Sequence, residues 1–95
     1  MSNHMERVRE HLGPESMALT MDGYDDCVAG VLERFGMPLI VVYDKEKVIQ
    51  KLMDDGQTRE EAHEFFEYNQ LGAWMGDGTP AFITTSSWID FLYAE

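Results

Sequence analysis

Glu60, His63, Glu64 and Glu67 stand at positions i, i+3, i+4 and i+7, which share one face of a helix. Glu-x-x-His is the spacing by which di-iron carboxylate bundles aim two ligands at one metal. Such a centre needs a second copy of the motif on another helix, and this chain has one. The same four residues also make an ordinary solvated or partner-facing surface opposite Phe65 and Phe66, and that reading is preferred. Asp22, Asp25 and Asp26 offer oxygen ligands for Ca2+ or Mg2+. The remaining ligands of an EF-hand loop are missing, and turn and cap chemistry accounts for these aspartates. Asn69 falls between Phe66 and Ala73 on an apolar stripe. A buried amide must be hydrogen-bonded, so Asn69 is expected to tie its helix to the chain over 72–79; a pocket residue facing a ligand is the alternative. Gly72 is expected to be structural, marking the helix end with Gly76.

Nucleophilic and cofactor chemistry find little support. Cys27 is the only cysteine, which excludes an intramolecular disulfide and a C-x-x-C motif. It reads as a small buried hydrophobe in a reducing, cytoplasmic setting. Ser86 and Ser87 lack a Gly-x-Ser-x-Gly context. Gly72, Gly76 and Gly78 are spaced for turns, not for a dinucleotide fingerprint. No cofactor is expected. No apolar run reaches the roughly 18 residues of a membrane span, and the polar first twelve residues do not resemble a secretion signal.

Charge is the broader signal. The net charge is −11 over 95 residues, and all seven Lys and Arg lie at or before Arg59. A one-sign surface repels nucleic acid and anionic membrane and attracts basic protein surfaces. The expected partner-binding residues are therefore Glu60, Glu61, Glu64, Glu67 and Asp77, with Trp74 as an aromatic anchor. Trp74, Met75, Trp88, Phe91 and Tyr93 crowd the C-terminal region with more apolar area than so small a domain buries. A homodimer seam through Trp74, Trp88 and Phe91 is an alternative.

The elements that must position these residues follow from periodicity. Met5, Val8 and Leu12 give a short N-terminal helix, expected to be frayed or loosely docked over 1–15, and Gly13-Pro14 stops it. Residues 27–35 fit both a helical stripe and a strand. Gly30 and the short Gly36-Met37-Pro38 link favour a strand in a β-hairpin. Residues 39–43 (Leu-Ile-Val-Val-Tyr) form the clearest strand, apolar at every position as in strands buried on both faces. Asp44 caps a helix whose inward stripe is Val48, Ile49, Leu52 and Met53, and Gly56 ends it. Thr58-Arg59-Glu60-Glu61 is a capping box for a second helix, with Ala62, Phe65, Phe66, Asn69 and Ala73 inward. Residues 79–84 form a short strand, placed at an edge by Pro80. Ser87 caps a last apolar turn. The order β-β-α-α-β, with short terminal helical segments, gives a single α+β domain. A small sheet is packed on one face by a helix pair.

Asp22-Gly23-Tyr24-Asp25-Asp26, Val41-Val42-Tyr43-Asp44, Glu67-Tyr68-Asn69-Gln70-Leu71-Gly72-Ala73-Trp74, Gly76 and Thr79-Pro80 together resemble the pattern of a widespread group of small bacteriophage and prophage proteins. The likeness spans about residues 21–83. It implies a strand over 28–34 and leaves 86–95 outside the pattern. It implies no particular catalysis. For a phage-encoded acidic protein it suggests a host nucleic-acid-binding protein, such as a defence nuclease complex, as the partner inhibited or modulated in the host cytoplasm. A small metal-dependent enzyme or ligand-binding protein using the Glu60, His63, Glu64 and Glu67 face, and a self-associating phage structural or assembly component, are the other readings.

Overall fold

The computed structural model describes residues 4–72 and 74–94. In chain order the elements are helix α1 (His4–Leu12), strand β1 (Val28–Leu32), strand β2 (Ile40–Asp44), helix α2 (Lys45–Asp54), helix α3 (Arg59–Phe66), strand β3 (Ala81–Ile83) and helix α4 (Ser86–Leu92). A 3-10 turn, Asp25–Cys27, leads into β1, and a π-helical turn, Glu67–Leu71, extends α3. The chain is α+β, as the element pattern predicts.

The ambiguous stretch over 27–35 is a strand. Val31 lies opposite Val41 and Leu32 opposite Ile40 in an antiparallel pair. The register slips between Val28 and Gly30, leaving Ala29 as the extra residue of a bulge. β3 joins the other side of β2 in parallel, with Ala81 beside Val42 and Phe82 beside Tyr43. A parallel neighbour requires a crossover, and α2 and α3 supply it. β2 is thus central, and Pro80 stands just before a three-residue edge strand, where its missing N–H costs no ladder bond.

Alternation along β2 sends Val41 and Tyr43 to the helix side, where both are fully buried. α2 contributes Val48, Ile49 and Leu52 to this core, and α3 contributes Ala62 and Phe66. Phe82 meets Phe66 edge-on, with ring centroids 4.8 Å apart. The caps are where local chemistry places them. Asp44 Oδ1 accepts the Glu46 and Lys47 N–H groups at 3.0 and 3.4 Å. Thr58 and Glu61 exchange the reciprocal bonds of a capping box at 3.2 and 2.9 Å. Gly56 takes the left-handed conformation after α2.

Four expectations need correction. α1 is docked, not loose: Met5 is fully buried and Val8 nearly so, both in the main core. Bonds from Met21 N to the Tyr43 hydroxyl (2.7 Å) and from Leu19 N to Gly78 O (3.0 Å) hold the following segment to β2 and to the approach to β3. β2 is covered by helices on one side only, although every residue from Ile40 to Tyr43 is apolar. α4 is capped by Thr85, whose Oγ1 accepts Trp88 N–H at 3.2 Å, two residues before the expected Ser87. Asn69 is exposed, for a reason that lies in the site itself. Ala73 lies outside the described residues.

Candidate functional site: the carboxylate and aromatic face of α3

The inward face of α3 is fixed by Ala62 and Phe66, both fully buried. Helical geometry then turns Glu60, Glu64 and Glu67 to the opposite side, and all three are exposed. Phe65 and Tyr68 flank that row on one side, 40 % and 83 % exposed. His63 flanks it on the other, half-buried in a cleft of about 90 Å3 with Lys45, Arg59 and Trp88. The predicted four-residue face is therefore split. The glutamates look outward and the imidazole lies between α3, α2 and α4. Among the described residues no three His, Cys, Asp or Glu side chains come together as metal ligands. Asp26 is engaged with Lys51 at 3.3 Å, and Asp22 is exposed in the preceding turn.

Beyond Phe66 the helix widens. The Gly72 N–H reaches back to Glu67 O at 3.0 Å, an i→i+5 bond that adds about one residue to the turn. This insertion rotates Asn69 off the inward stripe. Its Nδ2 donates to Phe65 O at 3.2 Å within the same helix and ties nothing to 72–79. Gln70 takes the inward position instead, and its Oε1 is buried without a hydrogen-bond partner. Gly72 is structural in a specific sense: a Cβ there would stand 2.9 Å from Glu67 O. The wide turn and its glycine thus hold Tyr68 and Leu71 outward, and Trp74 follows directly at 71 % exposure.

The electrostatics of the face are simple. Glu61 is spent on the capping box, where the Thr58 N–H holds its carboxyl below the usual range. Two ion pairs tie basic to acidic side chains, Lys51–Asp26 and Arg59–Glu46 (3.6 Å). Neither involves Glu60, Glu64, Glu67 or Asp77. Lys45 lies 5.3 Å above the Phe66 ring. The outer side of α3 consequently carries three uncompensated carboxylates beside a row of large apolar side chains, with exposed Asp77 a few residues on.

Helical period places Phe65 on the core stripe, but it is 40 % exposed and begins this outward row instead. The i, i+3, i+6 spacing of Phe65, Tyr68 and Leu71, a second apolar line beside the Ala62–Phe66 one, was the available signal. Trp88 and Phe91 stack on each other, 4.8 Å between centroids, with Trp88 half-buried against the α2–α3 cleft. Comparison with protein families, curated proteins and solved structures finds no match.

Proposed function

We propose that this chain is a non-catalytic protein-binding module whose working surface is the outer side of α3 and the turn after it. One observation carries the reading: Glu60, Glu64 and Glu67 stand free beside exposed Phe65, Tyr68 and Leu71, with Trp74 and Asp77 following. Apolar side chains supply buried area and anchors. Carboxylates supply orientation, encounter rate and rejection of acidic competitors. The partner's surface is cationic with an apolar centre. Nucleic-acid-binding proteins present such surfaces, so on the phage resemblance a host protein of that class is the partner, and the glutamate row occupies ground built for phosphates.

The test is capture from host lysate with immobilised protein, followed by titration of the purified partner. Glu64→Lys with Glu67→Lys, and separately Trp74→Ala, are each expected to weaken binding by roughly 10- to 100-fold. Binding should also fall as salt rises. All three positions are exposed, so folding is preserved. Unchanged affinity in both variants refutes the assignment.

A further inference from the structure

The side of the sheet away from the helices is apolar and, around Val42, open, although Ile40 on that side is buried. Gly30, Val42 and Ala81 pair across the three strands and form the floor of a trough of about 340 Å3. Leu32 and Ile83, each about two-fifths exposed, rise at its ends. No charged side chain lines it. A solvated sheet face ordinarily alternates to polar residues, and this one does not. Its strand edges are poor sites for strand addition. β1 carries the Ala29 bulge, and β3 is three residues long and preceded by proline. What covers this surface must therefore lie on the face.

The chain carries a side chain shaped for that space. Phe35 sits at the hairpin tip, in a turn closed by Met37 N to Arg34 O (3.1 Å), and is fully exposed. It contributes nothing to its own core. Gly30 leaves open space where a Cβ would be. We propose that two copies of this chain associate face to face, each lodging Phe35 in the other's Gly30–Val42–Ala81 trough. A knob and a hole on one molecule, exchanged about a twofold axis, close an isologous pair. Charge points the same way. In a molecule of net −11 this face is where two copies meet without opposing carboxylates.

Area sets the strength. Two strands of five residues and one of three give a face of at most about 14 by 17 Å. A buried phenyl ring adds about 150–250 Å2 per copy. Together the copies cover on the order of 1,000 Å2, below the standard size of a stable complex. The dimer is thus weak, forming at about 0.1–1 mM. Added salt strengthens it by screening repulsion between the two acidic bodies. That is the opposite of the response expected on the α3 face, so the two proposals fail separately.

Sedimentation of the full chain up to about 1 mM, at low and high NaCl, tests this. The wild type is expected to show a monomer–dimer equilibrium shifted toward dimer at high salt. Phe35→Ala removes the knob and Gly30→Val fills the hole; neither touches the monomer's core. Both are expected to stay monomeric with unchanged circular dichroism. Trp74→Ala is expected to dimerise as the wild type does. A wild type that stays monomeric throughout, an association that survives either Phe35→Ala or Gly30→Val, or one abolished by Trp74→Ala, overturns the proposal.

Discussion

Two carboxylates are held ionised by particular neighbours, and each makes the fold sensitive to acid. Burial alone would raise the Asp26 carboxyl, but the bond and charge of Lys51 outweigh it and hold it below its ordinary value. Glu61 is held down by the Thr58 N–H. A carboxylate whose folded value is depressed stabilises the fold above its unfolded pKa. That contribution is lost as pH falls through the folded value. The expected outcome is a stability that declines below about pH 4. An Asp26→Asn, Glu61→Gln double variant is expected to decline less, because both replacements keep an acceptor oxygen and remove the titration. Urea denaturation of the two proteins at about pH 6 and about pH 3 measures the difference. Cys27 does not titrate in this range. Burial, with Asp26 beside it, pushes its thiol up to about 11, which leaves it inert as a nucleophile.

The elements show what local chemistry does and does not encode. Asp44, the Thr58–Glu61 box and Gly56 were legible because each acts within one turn of backbone. β1 was legible once Gly30 and the short link were weighed against helical periodicity. The end of α3 was not. Reading Asn69 as buried assumed an unbroken 3.6-residue period. The wide turn at Glu67–Leu71 adds a residue and hands the inward place to Gln70. The glutamates of the candidate site were legible because charged side chains stay solvated wherever a helix puts them. Phe65 was not, because an apolar residue beside a core stripe is assigned to the core by default. The wide turn also leaves a measurable cost. Removing the unpaired Gln70 oxygen with Gln70→Leu is expected to stabilise the protein by about 1 kcal/mol. Gly72→Ala is expected to destabilise it by about 1–3 kcal/mol through its approach to Glu67 O. Chemical denaturation reads both, and Tyr68 and Trp74 report whether the outward face survives.

At the scale of the whole molecule, charge and shape divide the surface. The helix layer presents uncompensated carboxylates with aromatic side chains among them. The trough on the sheet's far side is lined by no charged side chain. Salt is expected to act on the two proposed associations in opposite senses, so one ionic-strength series on a mixture of this chain and a captured partner separates self-association from hetero-association. The docking of α1 matters here as well. Met5 and Val8 belong to the same core as Val41 and Phe66, so removing α1 cuts into the layer that supports α3.

The sheet has one strand bonded on both sides, one bulged edge and one edge of three residues. Amide exchange in D2O should therefore be graded. The Val41 and Tyr43 positions open only with global unfolding, whereas the Ala81–Ile83 ladder is short enough to part first. When it parts, the chain beyond Gly76 is released with it, carrying Phe82 off the Phe66 ring while the hairpin and α2 remain closed. A protease finding that excursion would clip the C-terminal fifth and leave a protected remainder.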